Sequence, residues 1–128
     1  MTIKSPQNLV ADALSEIKTI SPSEALELSN KNECNLIDIR DTIELQKLGR
    51  IENSFHISRG LLEFSIHPES AYVQNNKLDL NKEIVLFCAA GGRSALAVKT
   101  LKEMGFKKVS HIEGGFRSMS NSGFKVIK

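Results

Sequence analysis

Cys88 ends an apolar run, Ile84-Val85-Leu86-Phe87, and is followed by Ala89, Ala90, Gly91 and Gly92, then Arg93 and Ser94. In that order these residue types suit one kind of chemistry. Small residues let a backbone curl into a tight cup with its amide hydrogens pointing inward. A sulfur on the floor of such a cup, at the positive end of the next helix, is favoured as the nucleophilic thiolate. Cys88 is therefore the candidate nucleophile, and Ala89, Ala90, Gly91, Gly92, Arg93 and Ser94 form the candidate binding loop. A cysteine that only closes a buried strand is inert. The reactive reading thus requires amides that face the sulfur and a sulfur that reagents can reach.

The loop needs a rigid strand before it and a helix after it, and both are legible. Ile84 to Phe87 has the unbroken apolar character of a strand buried on both faces, in the middle of a parallel sheet. Ala95, Leu96, Val98, Leu101 and Met104 recur at helical spacing, and Gly105 supplies a left-handed stop. Further strands are expected at Lys18 to Ile20, Asn35 to Ile39, Ser54 to Ile57 and Lys108 to Ile112. Leu9, Val10, Ala13, Leu14 and Ile17 predict an amphipathic helix over about residues 6–17, with Ser5 as cap and Pro6 in the first turn. Ser21-Pro22-Ser23-Glu24 reads as a capping box opening a helix to about Ser29. The long connection from Gly60 to Leu80 carries a helical piece at Leu61 to Ser65 and turns at His67-Pro68 and Asn75-Asn76. After Gly114 and Gly115 a last helix spans roughly Phe116 to Ser120. Strands alternating with helices imply an α/β fold around a parallel sheet.

In such sheets ligands bind beyond the carboxyl ends of the strands, so Asp38 and Arg40 share a rim with Cys88. Asp38 is expected to accept hydrogen bonds from loop amides or from Arg93, and Arg40 to pair with Glu44, four residues on. Both support the site rather than react.

The totals narrow the class. One domain accounts for 128 residues, and apolar and charged fractions of 41% and 25% are those of a soluble globular protein. A net charge of +2 gives no case for nucleic acid or an anionic membrane as partner. The N-terminus carries no signal peptide, since Asp12, Glu16 and Lys18 interrupt it. No stretch is apolar enough to span a bilayer, and the default compartment is the cytoplasm. His56, His67 and His111 have no metal-ligand spacing, so neither metal nor cofactor is expected. Cys34 lies just before one strand begins and Cys88 stands where another ends. Parallel strands put them roughly 15 Å apart, beyond the roughly 7 Å reach of a disulfide, so Cys34 is read as passive.

Cys88-Ala89-Ala90-Gly91-Gly92-Arg93-Ser94 resembles the active-site loop of the rhodanese (sulfurtransferase) family, C-x-x-G-x-R-S/T, at every fixed position. The likeness runs from about Thr19 to the C-terminus through Leu36-Ile37-Asp38-Ile39-Arg40, Gly49-Arg50-Ile51 and Glu113-Gly114-Gly115-Phe116. Ser58-Arg59-Gly60-Leu61-Leu62-Glu63-Phe64 and His67-Pro68-Glu69-Ser70-Ala71-Tyr72 resemble a subgroup of small single-domain members. The chain departs from the common pattern at Arg50, where many members have histidine, and at Met119, where many have tryptophan.

The resemblance implies a three-layer α/β/α fold with a five-stranded, mainly parallel sheet. It makes residues 19–128 the rhodanese-like domain and residues 1–18 an added helical segment. It also implies sulfur transfer from a small anionic donor, such as thiosulfate or a persulfide, to a thiol acceptor or cyanide through a Cys88 persulfide, by a monomer or homodimer. Arg59, near the pocket mouth in the family, becomes the candidate grip for an anionic substrate, with a salt bridge to Glu63 as the alternative. Related cysteine phosphatases place five residues between cysteine and arginine, whereas Cys88 and Arg93 enclose four. The smaller cup favours sulfur over phosphate or arsenate. A binding module without activity, and a phosphatase or arsenate reductase, are the competing readings.

Overall fold

Glu83–Phe87 forms the central strand of a parallel sheet because alternate side chains find apolar partners on both faces. The computed structural model describes residues 2–128. In chain order the elements are α1 (Pro6–Leu14), β1 (Thr19–Ile20), α2 (Pro22–Asn30), β2 (Cys34–Asp38), α3 (Thr42–Leu48), β3 (Arg50–Ile51) and β4 (Phe55–His56). A 3-10 turn (Arg59–Leu61) then leads to α4 (Leu62–Ile66), α5 (Ala71–Gln74), β5 (Glu83–Phe87), α6 (Gly92–Met104), β6 (Val109–Ile112), α7 (Gly115–Met119) and β7 (Val126–Ile127). The main sheet has strand order β1-β6-β5-β2-β4, with every pair parallel.

The alternation along β5 assigns the layers. Ile84, Leu86 and Cys88 pack with Ala97, Val98 and Leu101 of α6 and with Leu62 and Ile66 of α4. Val85 and Phe87 point the other way, to Ala25 of α2 and Phe116 and Met119 of α7. Helices on both faces of a five-stranded parallel sheet make the expected three-layer α/β/α arrangement. Met119 is fully buried, so the thioether fills the position where tryptophan is common, and burial of this kind stabilises by about 1.5–3 kcal/mol.

The caps explain where helices begin. Ser5 accepts from the Asn8 N–H and Ser21 from the Glu24 N–H, each followed by a proline whose missing donor costs nothing there. Several boundaries differ from expectation. α1 stops at Leu14, and Ile17 meets the core from a loop instead of from the helix. Cys34 is the first residue of β2, paired with Glu83, and does not precede the strand. Arg50–Ile51 and Val126–Ile127 form a small antiparallel ribbon that no sequence pattern announced. Two residues per strand are too few to show a period.

Candidate functional site

β5 ends at Phe87 and α6 starts at Gly92, so residues 88–91 must turn the chain within one short loop. Gly91 takes φ 112°, in the left-handed region, and the turn brings two amides onto the sulfur. The Gly91 N–H donates to Cys88 Sγ at 3.1 Å and the Ser94 N–H at 3.4 Å. These are the two backbone amides within hydrogen-bond distance of Sγ among the described residues. Both favour negative charge on sulfur, and α6 adds its positive end.

The loop carbonyls are held from outside. Phe116 and Arg117, in the first turn of α7, donate their N–H groups to the oxygens of Cys88 at 2.8 Å and Ala89 at 3.2 Å. This approach needs glycine: a Cβ on Gly115, where φ is 58°, would lie 2.5 Å from the Cys88 oxygen. The Gly114-Gly115 pair therefore serves the loop as well as the turn.

Ser94 stands in the first turn of α6. Gly91 is the N-cap residue and makes no side-chain cap bond. The Ser94 hydroxyl lies 3.5 Å from Cys88 Sγ, 3.3 Å from the Gly91 carbonyl oxygen and 2.9 Å from His111 Nδ1.

The charged partners are exchanged relative to expectation. Arg93 makes a two-pronged ion pair with Glu44, at 2.8 and 2.9 Å, joining the start of α6 to the start of α3. Glu44 also receives the Asp41 N–H at 2.8 Å. The Arg93 hydrogen bonds hold the Glu44 carboxyl well below the usual range, at about 2, and Glu44 in turn raises Arg93. Arg40 is engaged not by Glu44 but by Asp38, with its backbone N–H and Nε each 3.0 Å from Oδ1 and Nη2 2.8 Å from Oδ2. Both side chains of that pair are fully buried. The Arg40 guanidinium also caps the Gly49 carbonyl at 2.9 Å and lies 4.0 Å from the Phe116 ring centroid. Since the Phe116 N–H holds the Cys88 carbonyl, the buried pair braces the loop through one intermediate residue. Neither Asp38 nor Arg40 bonds the sulfur.

Arg59 donates to Glu63 at 2.8 Å and to Thr100 at 3.5 Å. Thr100 is about two turns along α6 from Arg93, so this guanidinium is engaged on the helix flank. The α1 segment comes closer to the loop: a Cβ on Gly92 would sit 3.7 Å from Val10 Cγ2.

Cys88 is only 1% exposed. Ala89, Gly91, Gly92 and Arg93 are partly exposed and Ala90 is exposed, so the buried sulfur lies beneath a loop that solvent reaches. Sequence reasoning missed His111 as a neighbour of this loop, since it weighed the histidines only as metal ligands. The available signal was a lone imidazole in the short strand Val109-Ser110-His111-Ile112, which is apolar at both ends. Among the described residues no cluster of three His, Cys, Asp or Glu could hold a metal ion, and no helix is long and apolar enough to cross a membrane.

A sheet of this order with a cysteine-headed amide cup between strand and helix defines the class. A Rhodanese-like domain model matches residues 21–122, and the chain belongs to that family. A protein of unknown function from Rhodopseudomonas palustris, described as a possible tyrosine phosphatase, superposes with TM-score 0.85 at 38% identity, covering 99% of this chain and 98% of that one. The polysulfide-sulfur transferase homodimer of Wolinella succinogenes gives TM-score 0.73 at 34% identity, covering 94% and 85%. The tRNA uridine(34) hydroxylase of Chlamydia caviae is 31% identical over 121 residues, which are 90% of this chain and 36% of that protein. The chain spans about two fifths of the length of the curated relatives it matches, 40% and 36% for two of them.

Proposed function

We propose that the chain is a sulfurtransferase that carries sulfane sulfur as a persulfide on Cys88. The observation that carries this reading is the pair of amides on one sulfur, Gly91 at 3.1 Å and Ser94 at 3.4 Å. Donors fixed in this way stabilise negative charge without reorganising as the reaction proceeds. In the first step the Cys88 thiolate attacks the outer sulfur of thiosulfate or of a persulfide. A new S–S bond forms, the donor's S–S bond breaks, and sulfite or a thiolate leaves with the electron pair. In the second step an acceptor thiolate, or cyanide, attacks the outer sulfur and returns Cys88 as thiolate. No oxidant or reductant is consumed. A bound outer sulfur would add about 2 Å beyond Sγ, and the loop residues around it, Ala89 to Arg93, are partly or largely exposed.

The sulfurtransferase neighbour supports this reading, and the four-residue spacing between Cys88 and Arg93 supports sulfur over phosphate as cargo. A second reading, a binding module with no sulfur chemistry, is favoured by the near-complete burial of Cys88. Intact-protein mass spectrometry after thiosulfate or glutathione persulfide separates the two. Sulfur transfer predicts a gain of one sulfur atom, mapped to Cys88 and removed by dithiothreitol. No gain on folded protein with either donor leaves the binding module. Turnover of p-nitrophenyl phosphate by the same sample would instead point to a phosphatase.

A further inference from the structure

Cys88 is only 1% exposed, and a row of polar groups links its sulfur to a residue at the surface. Behind Cys88 stand three groups, one each from α6, β6 and β1. Cys88 Sγ is 3.5 Å from Ser94 Oγ, Ser94 Oγ is 2.9 Å from His111 Nδ1, and His111 Nε2 is 3.0 Å from Thr19 Oγ1. Cys88, Ser94 and His111 are buried, whereas Thr19 is exposed. The row thus runs from the reactive sulfur, across the edge of the sheet, to solvent on the far side of β1.

Every donor and acceptor in the row is satisfied in two opposite settings. With Cys88 as thiol, S–H donates to Ser94 Oγ, the Ser94 O–H donates to Nδ1, and Nε2–H donates to Thr19. With Cys88 as thiolate, the Thr19 O–H donates to Nε2, Nδ1–H donates to Ser94 Oγ, and the Ser94 O–H donates to sulfur. The second setting adds a third donor to the two amides on the anion. We propose that His111 is a positioning residue for sulfur transfer, whose change of tautomer carries the Cys88 proton to Thr19 and water and turns the Ser94 hydroxyl toward the sulfur. The step balances: one proton leaves sulfur, one enters at Nδ1, one leaves Nε2 through Thr19 to water, and the ring is neutral before and after. Burial keeps the imidazole pKa below its usual range, which suits a group that relays a proton without holding a charge.

Other charges near the sulfur are already engaged. Arg93 from α6 is paired with Glu44 from α3, and Asp38 at the end of β2 is paired with Arg40. Arg117 on α7, Lys18 before β1 and Glu113 after β6 are exposed. His111 is the remaining titratable group in hydrogen-bond contact with Ser94.

The proposal rests on Cys88 being the nucleophile, and its test reads the imidazole and thiol separately from sulfur loading. Full-length protein labelled with 15N-histidine, in a Cys34→Ser background, is titrated while the alkylation rate of Cys88 by iodoacetamide is followed. The expected result is that the proton on His111 moves from Nε2 to Nδ1 over the same pH interval in which Cys88 becomes reactive. Cys88→Ser should abolish the movement. His111→Leu, checked for folding by circular dichroism, should slow alkylation and sulfur loading at pH 7 about three- to tenfold and shift both pH profiles upward. His111→Gln, which restores a donor to Ser94, should recover part of the loss. A ring that keeps one tautomer through the Cys88 transition, or a folded His111→Leu variant with an unchanged pH profile, overturns the proposal. Failure of wild-type Cys88 to load sulfur while the tautomer still moves would overturn the sulfurtransferase reading alone.

Discussion

The two cysteines stand at opposite edges of the same sheet, and the contrast shows what makes a thiol useful. Cys34 begins β2 and Cys88 follows the end of β5. Cys34 is partly exposed, yet burial of its sulfur and the nearby Glu83 carboxylate push the thiol up to about 11. Cys88 is more deeply buried but receives two backbone donors and the start of a thirteen-residue helix. In a parallel sheet with helical crossovers, helix N-termini gather at the carboxyl edge, so only that edge can offer the donors. Exposure alone therefore does not decide which sulfur receives donors. The same contrast divides the arginines. Arg40 and Asp38 are sealed within the fold, whereas Arg93 and Glu44 make an equally short pair with side chains 39% and 24% exposed.

The largest effect should come from exchanging the cysteines' roles. Cys88→Ser is expected to abolish sulfur loading and transfer, while Cys34→Ser leaves the rate within about twofold, in a thiosulfate–cyanide assay. A Cys34→Ser variant as inactive as Cys88→Ser would break the contrast between the two edges. Next is the buried ion pair: Arg40→Ala strands the Asp38 carboxylate and should cost about 3–5 kcal/mol in urea denaturation. Arg93→Ala, at the exposed pair, should cost about 1 kcal/mol or less. Gly115→Ala should destabilise by about 1–3 kcal/mol through a clash with the Cys88 carbonyl and a disfavoured φ. It should also lower sulfur loading more than Gly105→Ala, whose Cβ would meet nothing within 4 Å.

The smallest effect is electrostatic and depends on pH. The Glu44 pKa is lowered from 4.5 to about 2 by Arg93 hydrogen bonds. Its stabilisation is therefore fully present above about pH 4.5 and fades as pH falls through about 2. Stability measured from pH 6 down to pH 2 should fall less steeply in Glu44→Gln than in the parent. Equal slopes would show that the exposed pair adds nothing.

Much of this was legible beforehand because the signals are local. The run Ile84 to Phe87, the small residues after Cys88 and the Ser21-to-Glu24 box each act within a few residues, and each formed the element expected. The partners of charged groups were not legible. Arg93 finds Glu44 across 49 positions, and Ser94 finds His111 across 17. A guanidinium or an imidazole fits many partners, so only the packing of α3 and β6 beside α6 selects one. The ribbon of β3 and β7 was hidden for the same reason, since each two-residue strand exists only because the other arrives.

The central strand, the small residues after it, the candidate nucleophile and the three-layer class could all be read from short stretches of chain, because each signal lies among neighbouring residues. Tertiary structure decided which amides reach the sulfur, which carboxylate holds each arginine and what stands behind Ser94. Those outcomes depend on angles and distances between elements far apart in the chain, and they are set only when apolar burial on both faces of the sheet fixes the helices in place.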